Sequence, residues 1–215
     1  MNYNLSRRTI LKGTASGLLA SGTLGMSAFP VFAQDADVEE LMVAGPLGEM
    51  IEGAADAPIT MIEYSSLTCP HCASFHKNIY PDLKKNYIET GKVRFIVREF
   101  PLNRMAYGAA MLTRCAPKEV FFPFVDLLFA KQNEWAFGPN SVPNLIGYAK
   151  QVGMTQETID NCLKNQEVLD AVEWVRSRGS SNFGVSGTPT FFINGQVLKD
   201  LRSFAQLDAL LSEKL

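Results

Sequence analysis

The strongest constraint on the fold is one strand–helix–strand unit between residues 59 and 100. Ile59-Thr60-Met61-Ile62-Glu63-Tyr64 follows Pro58 and is an almost unbroken apolar run, the pattern of a buried strand. Val93 to Phe100, stopped by Pro101, is a second such run. Between them Cys72, Phe75, Ile79, Leu83 and Tyr87 recur at steps of three and four, which predicts one buried helical stripe. Pro81 is expected to kink that helix and Gly91 to end the segment. Two strands joined in this way run parallel, with a right-handed crossover. Ser65 to Thr68 reads as a loop, and the helix opens on Cys69-Pro70-His71-Cys72, so a C-x-x-C sits at the strand-to-helix turn.

The remainder of the chain arranges itself around this unit. Residues 34–57 are acidic, rich in Gly and Ala and weakly patterned, with a short edge strand predicted near Met50-Ile51 and ended by Gly53. Residues 103–182 read as nearly all helical. Phe121 to Phe129 is densely apolar, Leu145-Ile146 and Val152 suggest an amphipathic helix, and Pro139 and Pro143 break the middle. Thr155 is the predicted N-cap of a helix reaching Leu163, with Thr158 in the capping-box position, and Leu169, Val172 and Val175 mark the last helix. Strands then return. Thr190 to Ile193 and Gln196 to Leu198 flank Asn194-Gly195, a strong two-residue hairpin signal. Ser203 caps a final helix with Phe204, Leu207, Leu210 and Leu211 inward. The order is β-α-β, helical insertion, β-β-α: an α/β domain over 58–102 and 183–215, interrupted by helices over 103–182.

Residues 1–33 read as an export signal rather than as part of the fold. Ser6-Arg7-Arg8-Thr9-Ile10-Leu11-Lys12 is a twin-arginine pattern, Gly13 to Phe29 is uncharged and rich in small residues, and Val31-Phe32-Ala33 is a small-residue cleavage site. The alternatives are a Sec signal or an uncleaved anchor. The weak hydrophobicity of the stretch disfavours the first, and its shortness and glycine content the second. Removing residues 1–33 takes three basic residues and no acid, leaving 17 basic against 22 acidic residues, a formal charge of −5. No basic patch is visible, so nucleic acid is not an expected partner. No later apolar run reaches ~18 residues, so the mature chain is expected to be soluble.

All four cysteines, Cys69, Cys72, Cys115 and Cys162, lie in the mature part, and an exported chain with an even count is expected to form disulfides. Cys115 and Cys162 fall in the helical interval and are expected to form a structural disulfide, the alternative being two buried free thiols. Cys69 and Cys72 suit another task. Disulfide exchange needs a thiolate that attacks and a second thiol close enough to resolve the mixed disulfide. At a helix start Cys69 meets unpaired N–H groups and the positive end of the dipole, so its pKa should fall into the range of about 3.5–7.5. Cys72, one turn on, joins the apolar stripe as a buried resolving thiol. His71 is expected to tune Cys69 as a donor or cation, the alternative being a solvated loop residue. His76, two turns past Cys69, reads as a surface residue. Glu63 interrupts an apolar strand; a buried acid wants a partner, and the alternative is an edge-facing, solvated side chain. Trp135 and Trp174 read as helix-packing residues without a role at the site.

Taken together, Glu63, Cys69-Pro70-His71-Cys72, the helical insertion, Gly187-Thr188-Pro189-Thr190 and the Asn194-Gly195 hairpin, in that order, resemble the DsbA branch of the thioredoxin superfamily. The resemblance implies a thioredoxin-like fold with an inserted all-helical subdomain and places Cys69 at the low end of its range. Pro70 and His71 are the pair that DsbA-like oxidases carry between their cysteines. Glu63 falls where such proteins hold a buried acid, implying a proton relay for Cys72. Pro189 is implied to be cis and to face the C-x-x-C, setting the Thr188 backbone beside Cys69 for a substrate strand; otherwise it is an ordinary proline at a strand start.

The implied activity is disulfide donation to reduced exported proteins in the periplasm. The implied partner is a quinone-linked membrane oxidase of the DsbB kind, and the implied state is a monomer without cofactor or metal. Two alternatives compete. One is an isomerase or reductase on the same fold, which the roughly two dozen residues before the first strand disfavour, because Dsb isomerases dimerise through a long N-terminal domain. The other is a metal- or peptide-binding module using Cys69, Cys72 and His71. Structural zinc wants four ligands, usually from two such clusters, and only one cluster is present.

Overall fold

Glu63 stands in the middle strand of a five-stranded sheet, and the placement follows from the apolar runs on either side of it. The computed structural model describes residues 37–198 and 200–215. The export signal read over 1–33 lies outside them. The strands are β1 (Met50–Glu52), β2 (Ile59–Ser65), β3 (Val93–Glu99), β4 (Thr190–Ile193) and β5 (Gln196–Leu198), side by side in the order β1-β3-β2-β4-β5. The helices are α1 (Val38–Leu41), α2 (Pro70–Asn78), α3 (Tyr80–Leu83), α4 (Arg104–Cys115), α5 (Phe121–Ala130), α6 (Gln132–Trp135), α7 (Ser141–Gln151), α8 (Gln156–Leu163), α9 (Gln166–Phe183) and α10 (Phe204–Ser212). None of the helices among the described residues is long and apolar enough to cross a membrane.

β2 and β3 are parallel, from Ile59 opposite Val93 to Ser65 opposite Glu99, and the other neighbours are antiparallel. Alternation along β2 sends Ile59, Met61 and Glu63 to one face and Ile62 and Tyr64 to the other. The first face meets α2, and the second has its own smaller core. Asn194 and Gly195 both take positive φ, +48° and +86°, as a two-residue hairpin turn requires. The Asn194 side-chain carbonyl also accepts the Thr60 N–H at 2.8 Å, tying the hairpin to β2.

All five residues of the predicted stripe, Cys72, Phe75, Ile79, Leu83 and Tyr87, are buried. The helix carrying them is not continuous. It breaks at Ile79 (φ −123°, ψ −46°), two residues before Pro81, which has no N–H to give to the preceding turn. α3 then widens into a π-helical turn over Lys84–Ile88, which keeps both Tyr87 and Ile88 buried. Gly91 (φ +73°) follows.

Six helices separate β3 from β4, and they divide between the two faces of the sheet. Phe121, Phe124, Leu128 and Trp135, with Leu145 and Ile159, extend the core on the α2 side. α9 crosses to the opposite face, where Val175 and Phe183 join Leu41, Ile62, Tyr64, Ile96, Phe100 and Phe192. α1, which the sequence pattern does not announce, covers part of the same face through Leu41. Asp37 caps it by accepting the N–H groups of Glu39 and Glu40. Cys115 at the end of α4 and Cys162 in α8 are joined by a disulfide, so they are not two free thiols. The whole is the thioredoxin fold with a helical insertion.

Gly179 is where α9 meets the sheet. A Cβ there would lie 2.6 Å from Cε1 of the fully buried Tyr64 ring. Gly179→Ala should therefore cost about 1–3 kcal/mol in urea unfolding, as overpacking does. A methyl group at Gly147 in α7 would meet nothing within 4 Å, and Gly147→Ala should raise stability by about 0.5–1 kcal/mol.

Candidate active site

Cys69 caps α2 in an extended conformation (φ −85°, ψ 122°), and Pro70 occupies the first helical turn, where its missing N–H costs nothing. Both cysteines are free thiols. Cys69 is 5 % exposed and Cys72 0 %, while Pro70 and His71 between them are exposed, so Cys69 is the sulfur nearest to an arriving partner. The Cys69 thiol is pulled down to about 5. The hydrogen bond from the Cys72 thiol contributes most and outweighs burial, and Thr188 and the backbone N–H groups of Cys72 and His71 add to it. Cys72 moves the opposite way, pushed well up by burial, by its bond to Cys69 and by the charge of Glu63. Ser65 acts on Cys72 as a hydrogen-bonding neighbour in the lowering direction.

On the far side of Cys69 the Thr188–Pro189 bond is cis, and the Thr188 carbonyl accepts from the Cys69 sulfur at 3.2 Å. From α6, the Gln132 amide donates to the carbonyls of Leu67 (2.8 Å) and Cys69 (3.0 Å), clamping the loop that delivers the first cysteine.

Beneath Cys72 lies a buried polar row. Glu63 is 0 % exposed and accepts the Ser65 hydroxyl at 2.7 Å. Its other oxygen meets Nε2 of His76 at 3.0 Å, and Nδ1 of His76 meets Asp126 of α5 at 3.3 Å. Burial alone would push the His76 imidazole down, but Glu63 and Asp126 overcome it and hold the pKa up to about 9. The ring stacks on Phe129, centroids 4.4 Å apart. Among the described residues no group of three or more His, Cys, Asp or Glu side chains is arranged to hold a metal ion.

A family model described as thioredoxin matches residues 47–213. The chain belongs to the thioredoxin family. A Rickettsia felis protein, provisionally named a protein-disulfide oxidoreductase, is 32 % identical over 153 residues, covering 68 % of this chain and 53 % of that one. The chain thus spans about half the length of the Rickettsia relatives it matches. Disulfide bond formation protein D of Bacillus subtilis is 28 % identical over 182 residues, covering 78 % of each chain. Among solved structures, α-DsbA1 of Wolbachia pipientis superimposes with a TM-score of 0.75 at 30 % identity, over 82 % of this chain and 94 % of that one. These likenesses place the chain in the DsbA-like branch of the family.

In this thioredoxin-family chain the structure brings together Glu63, Cys69, Pro70, His71, Cys72, Thr188 and Pro189, and keeps Cys115 and Cys162 apart from them in the insertion. Two expectations need correction. The sequence predicts tuning of Cys69 by the His71 side chain, but the part of His71 that acts on Cys69 is its backbone N–H. The sequence also places His76 on the surface, whereas it is 6 % exposed and paired with Glu63. The solvated alternative for Glu63 falls with it. α5, brought in from the insertion, covers the side of α2 that looked outward. One signal pointed to His76: it lies four residues after Cys72, hence on the same face, and a buried acid needs a partner. Gln132 carried no such signal.

The low Cys69 pKa has a measurable sign. Its value falls from the ordinary 9.0 to about 5, so ionisation stabilises the reduced fold fully above pH 9 and not at all below pH 5. The stability of the reduced protein relative to the disulfide form should accordingly rise between those limits. Thiolate absorbance of the reduced protein should titrate with a midpoint near 5 for a single sulfur, and a midpoint near 9 would contradict the geometry.

Proposed function

We propose that the protein is an exported thiol–disulfide oxidoreductase that donates the Cys69–Cys72 disulfide to reduced client proteins. The observation that carries this reading is the opposed shift of the two thiols, Cys69 down to about 5 and Cys72 well up. A client thiolate attacks Cys69, the S–S bond breaks, and its electron pair leaves on Cys72. A second client thiolate then attacks the client sulfur of the mixed disulfide and releases the Cys69 thiolate. A thiol of low pKa leaves readily, and a stabilised reduced form drives transfer toward the client. Thr188, with its backbone beside Cys69 next to Pro189, is positioned to pair with an extended client segment. Glu63 exchanges a proton with Cys72.

The compartment and partners follow from other features. The twin-arginine pattern around Arg7 and Arg8 supports export to the periplasm by the Tat route. Reoxidation by a quinone-linked membrane oxidase of the DsbB kind is supported by membership of the family branch. The names of the Rickettsia and Bacillus relatives agree with the chemistry.

Oxidation of reduced RNase, run beside refolding of scrambled RNase, tests the activity. Strong oxidation with weak isomerisation is expected, and Cys69→Ser should abolish both. The reverse balance would assign an isomerase. Export has its own test: changing Arg7 and Arg8 together to Lys should leave the precursor in the cytoplasm, and unimpaired export would remove the Tat assignment.

A further inference from the structure

His76 takes no part in the exchange steps above, yet it is a buried imidazole engaged at both nitrogens. A histidine that only balances the charge of Glu63 needs one of them. One edge of His76 reaches a groove of about 760 Å³ between α2 and α5, lined also by Pro70, Ser74, Tyr80, Asp126 and Asn133. The Asp126 side chain is 45 % exposed, so the row has one end in water. From there it runs inward: Asp126 to His76 at 3.3 Å, His76 to Glu63 at 3.0 Å, Glu63 to the Ser65 hydroxyl at 2.7 Å, and Ser65 beside the Cys72 thiol. Every member is within hydrogen-bonding reach of the next, and its inner end is the sulfur that solvent does not touch.

We propose that this row conducts the proton that Cys72 gains and loses in each redox cycle, with His76 as the relay and Asp126 at the mouth. The proposal rests on the exchange reading. When the Cys69–Cys72 bond breaks, its electron pair resides on Cys72, and a bare thiolate beside Glu63 in a dry site is strongly disfavoured. The Ser65 hydroxyl gives its proton to that thiolate and takes one from Glu63. Glu63 has received it from Nε2 of the His76 imidazolium. The neutral ring left behind keeps its Nδ1 proton and regains the second on the vacated Nε2, by a turn of the ring toward Asp126 and groove water. One proton enters for each Cys72 thiolate formed, and the same path runs backward on reoxidation.

The groups packed around His76 leave this as its route. Phe75 comes from α2, Glu63 from β2, Asp126 and Phe129 from α5 and Tyr80 from α3. The Tyr80 ring lies 4.9 Å from that of His76, but its hydroxyl is committed to Glu52, which Lys84 also bonds at 2.7 Å. Burial and Glu52 keep that phenol protonated. Phe75 and Phe129 close the sides against water.

The test is single-turnover reduction of the oxidised full-length protein by dithiothreitol, followed by acid quench, alkylation and mass spectrometry. His76→Ala should slow reduction at neutral pH by about 10-fold or more, since positioned proton transfer contributes on the order of 100-fold. Added imidazole, entering through the groove, should restore the rate in proportion to its concentration while leaving the wild type unaffected. An unchanged rate overturns the proposal, and so does a slowed rate that imidazole does not restore, which is the signature of a merely structural role. Should His76→Ala not fold, Asp126→Asn decides on the exposed end: a fall of about 3-fold at neutral pH supports the relay, and an unchanged rate overturns it. The two readings fail separately. Protein that cycles with dithiothreitol but does not oxidise RNase keeps the relay and loses the client assignment, whereas active oxidase without imidazole rescue keeps the assignment and loses the relay.

Discussion

The burial of Cys72 and the hydrogen bond its thiol lends to Cys69 together make two chemically identical side chains different. The sulfur that receives the hydrogen is stabilised as a thiolate, and the one that gives it is held as a thiol by burial and by the charge of Glu63. Much of the surrounding architecture serves to keep this inequality. The start of α2 turns backbone N–H groups toward Cys69, and the apolar stripe takes Cys72 out of water one turn later. A C-x-x-C on a flexible loop would have neither the dipole nor the dry side.

The inequality carries a cost, which the buried polar row answers. A sulfur held away from solvent cannot exchange protons with water directly. Glu63 and His76 introduce charge into the core on the α2 side of the sheet, and each is partnered there: Glu63 on both oxygens, His76 on both nitrogens, the second of them by the half-exposed Asp126. Buried ionic groups are tolerated when so paired, and removal of a single member leaves the others exposed to the full penalty of burial.

What the sequence discloses and what it withholds divide by distance along the chain. Strands β2 and β3, the α2 stripe, the Asn194-Gly195 turn and the N-caps at Thr155 and Ser203 are written in short windows, because each depends on periodicity or on one local hydrogen bond. The same holds for the C-x-x-C and for Glu63 as an acid out of place. Burial of His76 depends on α5, which begins more than forty residues later. The path of α9 to the opposite face depends on Gly179 meeting Tyr64, and a glycine in a helix does not advertise its neighbour. α1 is too short to show a period.

The clamp on the active-site loop has a consequence for the order of synthesis. Gln132 lies 63 residues after Cys69, and the Thr188 carbonyl lies 119 residues after it. A nascent chain that has emerged only as far as β3 already carries both cysteines, but neither the amide that fixes the loop nor the carbonyl that faces the sulfur. Its thiols are then closer to those of any unfolded polypeptide. The poised reactivity belongs to the finished chain, so a growing one is spared the chemistry it will later perform on others.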